Sequence, residues 1–279
     1  MNARAPVEAK QKPFFTREAG EGPGVVCLHA NASTSGQWRG LMALLTESRE
    51  GPRYRVIAPD LYDSGKGPRW PSDSVIRLRD EADMLQPVLA RAGSPFTLVG
   101  HSYGGAVALI AALANPDAVK ALVLYEPTLF ALIDAEKPAP NDADGIRSAV
   151  AVSVAALEQG NDDLAAEHFI DYWMGEGAWA KTPAERKPAI AASCVNIRRW
   201  AYALMKEPTP LAAFRALGMP VLYLLGKRST RAAHGVARLL IPALPRVEVV
   251  EFEKLGHMGP VTHPEEVNAA IDGFLRRVA

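Results

Sequence analysis

Phe96-Thr97-Leu98-Val99-Gly100-His101-Ser102-Tyr103-Gly104-Gly105-Ala106 passes from an apolar strand, through a serine bounded by glycines, into a run of small residues. Its centre, Gly100 to Gly104, matches G-x-S-x-G. Alone the pattern is weak: at ordinary Gly and Ser usage, chance supplies it in roughly one chain in ten of this length. The context adds weight. A strand that reverses this tightly into a helix forces the serine into a strained conformation, and the flanking glycines remove Cβ atoms that would collide. Ser102 then stands above the sheet edge at a helix N-terminus, where backbone N–H groups and the helix dipole favour a developing negative charge. The competing reading is a glycine-rich turn in which Ser102 merely caps a helix.

Outward from this turn, apolar runs alternate with amphipathic stretches, the pattern of a mostly parallel sheet wrapped by helices. Strands are predicted at 13–19, Val25–Leu28, Tyr54–Ala58, Phe96–Val99, Ala121–Tyr125, Val221–Leu225 and Val247–Phe252. Helices are predicted at 36–48, Ser74–Ala92, Tyr103–Ala114 and Pro264–Val278. Asn115-Pro116 ends the third of these helices, because proline disfavours α conformation in the residue before it. Residues 127–215 break the alternation. They read as helix and loop, with an aromatic cluster of Phe169, Tyr172, Trp173, Trp179, Trp200 and Tyr202. The expected organisation is an α/β core of residues 1–126 and 216–279, split by a helical insert of residues 127–215.

The 279 residues fit one α/β domain with an insert. Hydrophobic residues make up 48% and charged residues 22%, which suits a packed core. Basic and acidic residues number 31 each. That balance gives no footprint for nucleic acid or an anionic membrane. Two cysteines, Cys27 and Cys194, make no disulfide framework. Met1–Lys12 lacks the apolar stretch of a signal peptide, and no apolar run approaches the roughly 20 residues needed to span a bilayer. A reducing cytoplasm is the expected compartment. The sequence says nothing of oligomeric state.

A serine hydroxyl needs an adjacent base at neutral pH. Among six histidines, His257 follows the last strand in Leu255-Gly256-His257-Met258-Gly259-Pro260. Two glycines free that loop to turn an imidazole over the sheet edge. His101 is expected to point away from the site. His168, His234 and His263 read as surface or structural residues, and His29 as a shaper of the loop after its strand. That loop, His29-Ala30-Asn31-Ala32-Ser33, is expected to supply an oxyanion donor. The backbone N–H groups of Asn31 and Tyr103 are the assigned pair, although Asn31 also suits an ordinary turn.

At this point the chain resembles the α/β-hydrolase superfamily over nearly its whole length. The likeness rests on His29-Ala30-Asn31, Pro59-Asp60-Leu61-Tyr62-Asp63-Ser64-Gly65, Gly100–Gly105 and Gly256-His257, in the expected order on the expected strand ends. The resemblance implies that residues 127–215 form a cap over the site and that an acid completes a triad. There are two departures. Ala30 replaces the usual glycine, and the stretch Leu225 to Arg231, where the acid commonly stands, contains no carboxylate. Ser229 sits at about that place. Glu126, at the end of the strand after the nucleophile, is the better candidate. The haloalkane dehalogenases carry their acid there and have a similar oxyanion loop. The alternative for Glu126 is a capping carboxylate at the start of the insert. Asp60 and Asp63 read as parts of a structural turn.

Serine in place of a nucleophilic aspartate favours an acyl-enzyme, with Ser102, His257 and Glu126 as the triad. A small, hydrophobic, ester-like substrate is expected, with Trp173, Trp179, Trp200 and Met258 as candidate pocket residues. Carbon–carbon, thioester, lactone and perhydrolysis chemistry use the same groups. A weakly catalytic ligand-binding protein on the same fold is the reading from another class. No metal or cofactor is expected, since no H-x-x-x-H, C-x-x-C, Walker or G-x-G-x-x-G motif is present.

Overall fold

The computed structural model describes residues 15–47, 54–71 and 74–279. The Met1–Lys12 leader reading and residues 13–14 of the first predicted strand lie outside them. The strands are β1 (Thr16–Ala19), β2 (Gly24–Leu28), β3 (Arg55–Pro59), β4 (Phe96–His101), β5 (Val119–Tyr125), β6 (Val221–Gly226) and β7 (Val247–Phe252). They form one sheet in the order β1-β3-β2-β4-β5-β6-β7, antiparallel only between β1 and β3.

The strands' composition explains their places. β2, β4 and β6 are buried along their whole length, as continuous apolar runs in the middle of a parallel sheet should be. β7 reads Val-Glu-Val-Val-Glu-Phe and lies at an edge, where its glutamates stay exposed and discourage further strand pairing. Alternate residues of each central strand serve opposite faces. Val26, Leu28, Leu98, Leu122 and Leu124 pack into one core layer; Val25, Cys27, Val99, Val123 and Leu224 pack into the other.

Before Ser102 lie helices α1 (Arg39–Glu47), α2 (Leu78–Met84) and α3 (Gln86–Ala92), and after it α4 (Tyr103–Ala114). The long helix predicted from Ser74 is thus two short ones. Pro87 has no N–H to give the Asp83 carbonyl, so the ladder breaks at Leu85. Val75, counted as a helical apolar position, is exposed ahead of α2. The helix expected from residue 36 begins as a 3₁₀ turn, Ser35–Trp38, that leads into α1; residue 48 lies outside the described residues.

Between β5 and β6 the chain adds α5 (Ala131–Glu136), α6 (Asp144–Glu158), α7 (Asp162–Met174), α8 (Ala178–Lys181), α9 (Lys187–Cys194) and α10 (Ile197–Met205), with no strand. α11 (Arg231–Ala243), α12 (Gly259–Thr262) and α13 (Pro264–Val278) complete the chain. α1 and α13 cover one face of the sheet; α2, α3, α4 and α11 contribute to the core on the other. Among the described residues, no helix is long and apolar enough to cross a membrane.

Candidate active site

The three predicted polar residues follow three strands of the sheet: Ser102 follows β4, Glu126 follows its neighbour β5, and His257 follows β7, two places beyond β5. β4 and β5 pair through His101 and Tyr125, so Ser102 and Glu126 emerge together. Ser102 has φ 55° and ψ −117°. This strained conformation at the start of α4 is available only because the turn is so tightly made. A Cβ at Gly100 would lie 2.5 Å from the Gly104 carbonyl oxygen, and one at Gly104 would lie 2.3 Å from that of Leu28. The Ser102 N–H donates to Tyr125 O at 2.9 Å, tying the turn to the neighbouring strand end.

His257 meets both partners. Its Nε2 is 2.8 Å from Ser102 Oγ, and its Nδ1 is 2.7 Å from Glu126 Oε2. With a carboxylate opposite, Nδ1 carries the proton and donates, which leaves Nε2 to accept from the serine hydroxyl. All three side chains are buried. Glu126 is itself at a positive φ of 44°. Its second oxygen, Oε1, accepts from Gly226 N–H at 2.7 Å and from Ser229 Oγ–H at 2.6 Å. Ser229, read from sequence as standing where an acid is usually found, instead holds the acid that stands one strand away.

The loop carrying His257 is fixed from below. Tyr125 Oη–H donates to Gly256 O at 2.8 Å. His101, expected to point away from the site, instead packs beside His257, with ring centroids 5.3 Å apart. Its ring is 2.8 Å from His257 O through Nε2 and 3.1 Å from Gln37 Nε2 through Nδ1. Gln37 Oε1 accepts from Ala30 N–H at 3.2 Å, so its amide presents N–H to His101. His101 must then donate from Nε2 to the His257 carbonyl. Burial and the neighbouring His257 hold its pKa well below the ordinary histidine value, which suits a neutral ring with one donor and one acceptor. Gln37 therefore links the loop after β2 to the base loop. No local motif marks it, and the sequence reading did not find it.

Asn31 lines the cavity beside Ser102. Tyr103 stands at the first position of α4, where backbone N–H groups have no intrahelical partner. Its ring turns into the core and its hydroxyl donates to Glu81 Oε1 at 3.2 Å. His29 is buried and spans its own turn, with Nε2 accepting from Leu61 N–H and Nδ1 donating to Ala30 O. Asp60 accepts from Ser35 and Lys66 N–H, and Asp63 from Trp70 N–H and the Arg199 guanidinium. Among the described residues, neither aspartate has a hydrogen bond to the His257 imidazole, whose Nδ1 partner is Glu126. His168 and His234 lie in α7 and α11, and exposed His263 precedes α13.

Above Ser102 is a cavity of about 460 Å³, lined by residues of the α/β core and of the insert. Trp173, Trp200 and Met258, three of the candidate pocket residues, are among its lining. Trp173 stacks on His257 with ring centroids 3.9 Å apart. Trp179 does not line it. The Asp171 carboxylate accepts the N–H groups of Gly177 and Trp179, closing the turn from α7 into α8. The Trp179 ring is buried in the core layer, with the Lys187 ammonium 4.9 Å above its centre. The aromatic content of the insert thus serves its own packing as well as the cavity. Among the described residues, no group of three or more His, Cys, Asp or Glu side chains could hold a metal ion.

A sequence profile described as the alpha/beta hydrolase family matches residues 25–270. The chain belongs to that family. This hydrolase is 25% identical over 293 aligned residues to the biotin biosynthesis bifunctional protein BioHC of Teredinibacter turnerae. The match covers 100% of this chain, but the chain spans only half the length of that relative. It is also 25% identical to the pimeloyl-[acyl-carrier protein] methyl ester esterase of Nitrosomonas europaea, over 91% of this chain and 96% of the relative. Among solved structures, a thermophilic esterase from Thermogutta terrifontis superposes with a TM-score of 0.73 at 23% identity, covering 95% of this chain and 93% of the other. At that identity the superposition speaks for the shared fold.

Proposed function

We propose that this hydrolase cleaves a small, hydrophobic, ester-like substrate through an acyl-enzyme on Ser102. The observation that carries the reading is the continuous hydrogen-bonded relay Ser102–His257–Glu126 beneath a largely apolar cavity. His257 Nε2 takes the Ser102 proton as Oγ attacks the carbonyl carbon. The backbone N–H groups of Asn31 and Tyr103 receive the oxyanion. The same Nε2–H then protonates the departing alkoxide, and His257 next deprotonates a water that releases the acid and restores Ser102. Glu126 holds the tautomer and stabilises the imidazolium in both steps. An ester is favoured over a carbon–carbon or peroxide substrate by the methyl ester esterase among the relatives.

Residues 127–215 act in this reading as the cap, because they supply the cavity's Phe169, Trp173 and Trp200. Two free, buried cysteines suit a reducing cytoplasm. A ligand-binding protein without chemistry was suggested by the missing acid near Ser229; with Glu126 beside His257, that reading loses its support. A fluorophosphonate probe tests the proposal. Prompt labelling of Ser102, and loss of both labelling and turnover of an ester panel in Ser102→Ala, is the expected result. Undiminished ester hydrolysis by the purified Ser102→Ala protein would overturn it.

A further inference from the structure

The cavity above Ser102 mixes buried and exposed lining residues. Ser102 and His257, which line it, are buried. Apolar side chains including Ile146, Phe169, Ile170 and Trp200 form its wall. Lys181, the last residue of α8, and Arg186, which precedes α9, also line it, and both are exposed. Among the described residues, no aspartate or glutamate lines the cavity.

The insert's other cations near this wall are already engaged. Arg147 pairs with Asp134 and Asp144, Arg198 with Glu158 and Arg199 with Asp63, while Lys187 sits over Trp179. Lys181 and Arg186 have no ion pair or side-chain hydrogen bond among the described residues. Glu185, next to Arg186 in the chain, is exposed and is not part of the lining. Two exposed, unpaired cations on the lining of an apolar cleft concentrate a positive field there, because low-dielectric walls focus it. The guanidinium fork adds geometry suited to a planar carboxylate or a phosphate.

We infer that the substrate is an anionic ester. Its reacting carbonyl lies at Ser102, an apolar spacer follows the wall, and a carboxylate or phosphate at the far end meets Lys181 and Arg186. The inference rests on the esterase reading above and names the substrate class for that same site. Exposed ion pairs are individually weak. Two acting together, partly desolvated over apolar walls, are expected to give about tenfold in kcat/KM, expressed mainly in KM.

The test compares three methyl ester series of graded chain length on the full-length protein. One ends in a methyl group, one in a carboxylate and one in a phosphate monoester. The expected result is a kcat/KM about tenfold higher for an anionic series at its best length. That advantage should shrink at high ionic strength and fall to about one in Lys181→Gln/Arg186→Gln. Whichever anionic series leads identifies the group. A neutral series equal to or better than both, or an advantage that survives the double substitution, overturns the inference while leaving the esterase reading in place. If no series is turned over and Ser102 resists fluorophosphonate, it is the esterase reading that fails. Calorimetric binding of a straight-chain dicarboxylate against a monocarboxylate of equal length then decides the anion question: tighter dicarboxylate binding that the double substitution abolishes sustains it, and equal binding overturns it.

Discussion

At Glu126 one carboxylate serves three neighbours at once: the Gly226 amide, the Ser229 hydroxyl and the His257 imidazole. Its charge is buried, and a buried carboxylate is tolerable only when its lone pairs are met this fully. Replacing it by glutamine keeps the size but offers an amide N–H where His257 Nδ1–H must find an acceptor. Glu126→Gln is expected to lower kcat by up to about 10⁴ with the fold retained, measured by steady-state kinetics beside circular dichroism. Ser229→Ala removes one of two donors to Oε1, so a smaller loss is expected, about tenfold. A Glu126→Gln enzyme with near-normal kcat would show that another acid supports the base. Gln37 makes a second residue-scale case. Gln37→Leu cuts the hydrogen bonds to Ala30 N–H and His101 together. The expected outcome is a kcat about tenfold lower with KM little changed, since neither bond touches substrate. A rise in KM with kcat intact would assign Gln37 to binding instead.

At the scale of elements, the close crossing of α4 over β2 decides whether the nucleophile turn can exist. α4 is apolar almost throughout, with residues 103–112 all buried. Such a helix has no solvent face and is held by packing on every side. Gly104 is where it comes nearest the Leu28 backbone. Gly104→Ala is expected to destabilise the protein by about 1–3 kcal/mol, the usual consequence of overpacking a tight core. Thermal and urea unfolding measure it. Unfolding curves that match those of the unaltered protein would mean that α4 can shift away at little cost. The insert shows the opposite economy. Its helices were legible as helices from composition, but not which aromatic faces the cavity. Trp173 and Trp179 stand six residues apart and differ in role because the Asp171-bound turn redirects the chain between them.

Across the whole molecule, buried titratable groups couple pH to stability. Glu81 lies under the nucleophile helix, accepting from Tyr103 Oη–H and Tyr62 N–H. Burial pushes its carboxyl up from 4.5 to about 8. Between those values the folded protein holds one proton more than the unfolded chain. The contribution is therefore fully present below about pH 4.5 and is lost as pH rises through 8, by up to about 1.4 kcal/mol per pH unit. Urea midpoints should fall from pH 7 to pH 9 in the unaltered protein, a range in which the buried His29 and His101, held below the ordinary histidine value by burial, stay neutral and do not oppose the trend. The fall should be shallower in Glu81→Gln, whose stability at pH 9 should exceed that of the parent. Parallel trends in the two proteins would remove Glu81 from the account. Cys194, pushed up to about 12 by burial, and Cys27, also raised by burial, stay protonated throughout this range and add nothing to the slope.

The sequence by itself pointed to the order of strands along the chain, the glycine-bounded turn at Ser102 and the glycine-flanked loop at His257, while Glu126 was singled out by a family resemblance. The first three are local. Apolar runs of strand length, a glycine-bounded serine and a glycine-flanked histidine carry their geometry in adjacent residues, and parallel strands bring their ends to one edge. Only the tertiary structure decided the partners of Gln37, His101, Ser229 and Trp179 and placed Lys181 and Arg186 on the cavity lining. Their partners lie tens to more than a hundred residues away in the chain, as with Gln37 and His101 or Ser229 and Glu126, or they form a cavity that exists only after the insert has folded over the sheet edge. A hydrogen bond or an unpaired charge is a fact of distance in space. Sequence spacing reports that distance only within one helix, one strand or one turn.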